Sequence, residues 1–229
     1  MKHMNNHKMI KLILFLSIVV TSILLTGCID FAANDGRNKH VNLRAKNHLK
    51  GEVYTMRGGL GGVFSKGMNH LEDTLANDYQ IHSSSTVWNK AYSLSQTIIQ
   101  QYKAKIIQGP IILVGHSLGA NEQIKVAKNL AEANVPVALL VTVDAVSPIR
   151  VPPNVRLAVN IYKPSFVPMF SGLTLKAVDP ARTRIKNYNV DEIKGAEVNH
   201  FTIDKDEHVQ KIMLENILAT LKEANKGRK

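Results

Sequence analysis

The chain has 229 residues, 45% of them hydrophobic and 21% charged, with a formal net charge of +11. Those proportions exclude a disordered or collagen-like chain and suit one ordinary folded domain, since single cores stop growing near roughly 250 residues. Cys28 is the sole cysteine, so no disulfide within the chain can staple the fold. The basic residues are scattered, with no run of five or more, and read as a solvated surface with no nucleic-acid partner.

Met1 to Lys11 is polar and basic, and Leu12 to Leu25 is then almost wholly apolar, broken only by Ser17, Thr21 and Ser22. That run is shorter than the about 20 residues a membrane span needs and fits the apolar core of a signal peptide. Leu25-Thr26-Gly27-Cys28 follows. It resembles a bacterial lipobox, in which small residues precede a cysteine that is acylated and becomes the new N-terminus. The resemblance implies a signal peptide over 1–27 and a lipidated Cys28 holding the protein to a membrane of the bacterial cell envelope. Ile29, in place of an Asp, implies the outer membrane if the cell is Gram-negative. Residues 28–50, rich in Asn, Lys and His from about Ala32, read as a tether. A single folded domain is expected over 51–229.

In that domain Glu52 to Met56 reads as a first strand, ending in Arg57-Gly58-Gly59-Leu60-Gly61-Gly62. Ser65 is placed to cap a helix over Lys66 to Asn77, where Met68, Leu71 and Leu75 form an apolar stripe. A short strand is expected over Tyr79 to Ser83, and an amphipathic helix over Val87 to Lys103. Gly109-Pro110 then stops the chain before the apolar run Ile111 to Val114, whose lack of alternation suits a parallel strand buried on both faces. A helix over Ala120 to Ala133, strands over Val135 to Val143 and Val155 to Tyr162, and a closing helix over His208 to Lys222 complete the pattern. Val190 to Val198 is ambiguous. Strands alternating with helices imply βαβ units in a mostly parallel sheet of five to seven strands, covered by helices on both faces. The loops at the carboxyl ends of such strands gather on one edge, where sites of open α/β sheets lie.

The sharpest signal is Gly115-His116-Ser117-Leu118-Gly119, flanked by that buried strand and by a helix. A serine at a sharp strand-to-helix turn takes strained backbone angles and crowds its neighbours, which glycines two before and two after relieve. Ser117 Oγ then stands clear at the sheet edge, where the helix N-terminus aims free N–H groups and its positive dipole end. In this context the sequence resembles the α/β-hydrolase superfamily, and within it serine lipases and esterases; Gly-His-Ser-Leu-Gly-Ala matches the lipase form of the elbow. The resemblance covers about Glu52 to Ala224. It implies a three-layer α/β-hydrolase-like sandwich, with no large lid because few residues lie between Asp144 and His200.

A serine nucleophile needs a base and the base an orienting acid. The family's order, Ser then acid then His, leaves His200 and His208 as bases. His200, on a loop just before the last helix, is favoured. For the acid, Asp144 directly follows the apolar run Ala138 to Val143, as in lipases of pancreatic type, and is favoured over Asp179, which would be the acid one strand later. The amides of Leu118 and Leu60 are the expected oxyanion donors, although Arg57-Gly58-Gly59 departs from the His-Gly pattern of many lipases. The glycine loop fits neither phosphate-binding pattern, no metal-ligand spacing competes, and no cofactor is implied. The expected activity is hydrolysis of carboxylic ester or thioester bonds through an acyl-enzyme, on acyl-ester or lipid-like small molecules. Lys163 to Leu175 is a candidate apolar flap. The rivals are an acyltransferase using the same three residues and a non-catalytic lipoprotein binding module on the same fold.

Overall fold

The computed structural model describes residues 36–38, 49–167 and 172–226. The apolar leader, Cys28 and most of the expected tether lie outside these residues. Among the described residues no helix is long and apolar enough to cross a membrane.

Seven strands form one sheet: β1 (Gly36–Asn38), β2 (Glu52–Arg57), β3 (His82–Val87), β4 (Ile111–His116), β5 (Val137–Val143), β6 (Val155–Tyr162) and β7 (Arg184–Asn189), in the order β1-β3-β2-β4-β5-β6-β7. All neighbours are parallel except β1, which pairs antiparallel with β3 at one edge. Among the described residues four helices, α1 (Lys66–Asn77), α2 (Ala91–Lys103), α3 (Leu118–Glu132) and α4 (Glu207–Lys226), connect and close it. This is a three-layer α/β-hydrolase-like sandwich, with no large lid domain among the described residues; the alternation of elements implied the mostly parallel sheet and the resemblance implied the rest.

Two cores flank the sheet because its central strands bury both faces. On one side Val53, Ile112 and Val114 meet Met68, Leu71 and Leu75 of α1 and Val209, Met213, Ile217 and Leu221 of α4. On the other, Tyr54, Met56, Ile111 and Leu113 meet Ala91 and Ile98 of α2 and Ile124, Ala127 and Leu130 of α3. The chain steps from β2 outward to β3 and then back across to β4. The reversal lies between β2 and β4, so a crevice opens at their carboxyl ends.

Four expectations need correction. The strand expected over Tyr79 to Ser83 is displaced to His82–Val87: Gln80 turns at φ 53, and the serine run enters the sheet because its inward hydroxyls find acceptors. Ser83 Oγ donates to Glu72 O at 3.1 Å and Ser85 Oγ to Asn69 Oδ1 at 2.8 Å, both on α1. The helix expected from Val87 begins at Ala91, after a 3-10 turn over Trp88–Lys90. The ambiguous stretch after Val190 is a short 3-10 turn over Val190–Glu192, and the strand lies just before it as β7, an edge strand too polar to carry an apolar signal. Finally, three residues of the expected tether, Gly36–Asn38, form the opposite edge strand.

Candidate active site

The turn after β4 has the strain its sequence demands. Ser117 sits at φ 57, ψ −127, a region that costs a non-glycine residue about 1–3 kcal/mol. Its amide is held by Val143 O at 2.8 Å. A Cβ on Gly115 would stand 2.5 Å from Gly119 O, and one on Gly119 would stand 2.5 Å from Met56 O. Neither backbone atom can yield, so both positions need glycine.

Asp144 follows β5 at φ 51 and is fully buried. Its Oδ1 accepts the amide of Lys163, at the end of β6, at 2.9 Å. Its Oδ2 lies 2.6 Å from His200 Nδ1, and His200 Nε2 lies 2.8 Å from Ser117 Oγ. A carboxylate accepts only, so Nδ1 carries the proton and Nε2 faces the serine hydroxyl as an acceptor. The structure thus brings together Ser117, Asp144 and His200, which lie 83 and 56 residues apart along the chain. It leaves the alternatives elsewhere. Asp179 accepts the Ala181 amide in an exposed turn, and His208, in the first turn of α4, faces Asp206 with its Nδ1 3.4 Å from Oδ1.

The two expected oxyanion donors lie on α3 and on the loop after β2. Leu118 is the first residue of α3, where an amide has no intrahelical acceptor. Leu60 opens the 3-10 turn Leu60–Gly62 at φ 53. Gly58 packs so closely on the elbow that a Cβ there would stand 3.0 Å from both Ser117 Cβ and His116 O. Its own amide is spent on Ser65 Oγ at 2.9 Å. Ser65 therefore occupies the cap position of α1 without making a side-chain cap: its hydroxyl turns to Gly58 and to His116 Nδ1, 2.8 Å away.

His116 and Asp204 are the residues that sequence reasoning missed. His116 Nε2 lies 2.9 Å from the carbonyl oxygen of His200. Burial, then the neighbouring His200 charge, holds its imidazole down to about 3. Asp204 Oδ2 accepts the Gly67 amide at 2.8 Å. Its Oδ1, buried and without a hydrogen-bond partner among the described residues, lies 3.9 Å from His116 Nδ1. Desolvation pushes this carboxyl up to about 6. A polar residue next to an elbow serine was the available signal for His116; nothing local marked Asp204.

The mouth is apolar. Phe64 and Phe201 pack at 5.1 Å between ring centroids, Phe201 meets the His200 ring edge-on at 5.4 Å, and Leu60 and Val63 are exposed beside them. Of the expected flap, Phe166 is 98% exposed. The amide of Gly172 returns to Lys163 O at 3.0 Å, closing the flap's base against Asp144.

No family model matches the chain, and no curated protein matches it. Among solved structures it is similar to a Pyrobaculum calidifontis esterase (14% identity, TM-score 0.49), covering 89% of this chain and 90% of that one. It is also similar to the NocB thioesterase domain from the nocardicin cluster (11% identity, TM-score 0.48, 82% and 98% covered). A third is alpha/beta hydrolase domain-containing protein 10 from mouse, at 10% identity and TM-score 0.46, with 82% and 93% covered.

Proposed function

We propose that the chain is a serine hydrolase of carboxylic ester or thioester bonds that works through an acyl-enzyme and is held to the bacterial envelope by a lipidated Cys28. The observation that carries the catalytic reading is the unbroken hydrogen-bond line from Ser117 Oγ through His200 to Asp144, seated on a strained strand-to-helix turn. Ser117 Oγ attacks the acyl carbonyl while His200 Nε2 takes its proton. Asp144 keeps the imidazole in the Nδ1-protonated tautomer and stabilises the imidazolium that forms. The oxyanion meets the free amide of Leu118 and a second donor from the loop at Leu60, and losing one such donor costs about 3 kcal/mol of barrier. His200 then protonates the leaving alcohol or thiol, and water activated by the same imidazole releases the acid. The exposed Phe64 and Phe201, packed against each other and against the His200 ring, favour an apolar acyl group over a charged one.

The test is covalent labelling of purified protein with a fluorophosphonate probe. Wild type labels at one serine, and Ser117→Ala neither labels nor turns over p-nitrophenyl butyrate, with kcat down roughly a millionfold. Unlabelled wild type, or equal labelling of Ser117→Ala, sinks the enzymatic reading.

A further inference from the structure

We infer that His116 is a positioning residue that, through Ser65, locks the main chain of the general base and the glycine loop onto the nucleophile's own turn. The inference rests on the hydrolase reading above and adds the device that keeps its three parts in register.

Hydrogen-bond logic fixes the direction of every link. The carbonyl of His200 can only accept, so His116 Nε2, 2.9 Å away, must carry a proton. In a neutral imidazole Nδ1 is then an acceptor, and the partner 2.8 Å from it is the Ser65 hydroxyl, which must donate. A lone pair of that hydroxyl accepts the Gly58 amide at 2.9 Å. The line therefore runs one way, from Gly58 N–H to Ser65, to His116, to the carbonyl of His200. No member is left unmatched, and with His116 neutral no other arrangement of protons satisfies all three contacts. Ser65 and His116 are 2% and 1% exposed, so water cannot substitute for a missing link.

The chain's connectivity gives this line its significance. Gly58 directly follows β2, His116 ends β4, and His200 lies on the loop before α4, 84 residues from His116. The His200 side chain already bonds Asp144 and Ser117, which sets its ring but not the height of its backbone. The bond from His116 sets that height from the residue adjacent to the nucleophile, so elbow and base move as one body. The two rings lie 5.3 Å apart at 37°. A charged His116 beside an imidazolium at His200 would oppose catalysis. Burial keeps His116 neutral down to about 3, so the lock stays unchanged across the range in which an ester hydrolase works.

Two near-isosteric variants divide the line. Asn at position 116 keeps an acceptor near the Nδ1 position for Ser65 but loses the donor to His200. Gln reaches the Nε2 position and restores that donor. With p-nitrophenyl butyrate, His116→Asn is expected to lower kcat about 10- to 100-fold with KM within about twofold, since a misplacement near 1 Å has that scale of effect. His116→Gln is expected to recover most of the loss. Both should still bind a fluorophosphonate at Ser117, with the Asn variant labelling more slowly. The second measurement uses wild type alone: in 15N-resolved NMR of its histidines, His116 should show the neutral Nε2-protonated tautomer, unchanged from pH 5 to 8. A folded His116→Asn with wild-type kcat overturns the inference while wild-type labelling leaves the hydrolase reading intact. So does an Nδ1-protonated or titrating His116, whether or not the variants fold. Wild type that neither labels nor turns over ester defeats the hydrolase reading itself.

Discussion

Gly172 has no room for a side chain, because a Cβ there would stand 2.0 Å from Asp144 Oδ1 and 2.8 Å from Tyr162 Cβ. Gly172→Ala must therefore push the carboxylate off His200 or lift the loop that bonds it. Steady-state kinetics should show kcat reduced roughly a hundredfold with KM little changed, the signature of a displaced catalytic group. A second residue-scale prediction concerns pH. Asp204 titrates near 6 when folded against 3.8 when unfolded, so the folded chain holds the extra proton and the fold weakens as pH rises through that window. His116 titrates near 3 when folded against 6.5 when unfolded; here the unfolded chain holds the extra proton, and the fold strengthens over the same rise. The two slopes oppose one another. Asp204→Asn removes the unfavourable one, so the variant should gain about 2 kcal/mol on wild type between pH 4.5 and 6.5. Urea unfolding at the two pH values checks this, and a constant difference refutes it.

The elements show which segments advertise themselves. β4 and β5 are read directly because they are continuous apolar runs buried on both faces. β3 is misread because its buried positions are serines, acceptable inside only where α1 supplies acceptors for Ser83 and Ser85. β7 is missed because an edge strand needs no apolar run, and its residues are exposed or only partly buried. Besides its parallel ladder with β6, a row of polar side chains ties β7 to the rest. Thr142 donates to Asn160 Oδ1 at 2.8 Å, and Asn160 Nδ2 donates to Asn187 Oδ1 at 2.9 Å and to Leu173 O at 2.7 Å. Asn160, fully buried in β6, thereby links three strands and holds the Leu173 carbonyl. Asn160→Ala leaves the Thr142 hydroxyl and the Leu173 carbonyl without it. It should cost on the order of 3 kcal/mol in chemical unfolding, more than an equally conservative change at exposed Lys186.

At the scale of the whole molecule the proposed anchor would decide where the proposed hydrolase works. One acyl chain holds a protein to a bilayer only marginally, whereas two or three hold it stably. If Cys28 carries them, Cys28→Ala should move the protein from the membrane fraction to the soluble fraction and abolish incorporation of a labelled palmitate analogue. Fluorophosphonate labelling at Ser117 should persist, because the proposed catalytic groups all lie between Leu60 and His200. Unchanged fractionation would refute the anchor and leave the catalysis untouched.

Local chemistry was enough to read the alternation of strands and helices and the serine on its turn, while the short list of acids and bases followed from the resemblance to the α/β hydrolases and their order of Ser, acid and His. Apolar periodicity and the two glycines around Ser117 are consequences of sterics within a few residues, and sequence records those directly. Whether Asp144 or Asp179 meets the imidazole was not decidable that way, because it depends on which strand end lies beside His200. The fate of Ser65 is the clearer case. Its position before α1 reads as a cap, yet its hydroxyl turns to His116, 51 residues away. Such choices belong to tertiary structure for a physical reason: a buried hydrogen bond goes to whichever partner the fold has left unmatched, and that partner exists only once distant strands are side by side.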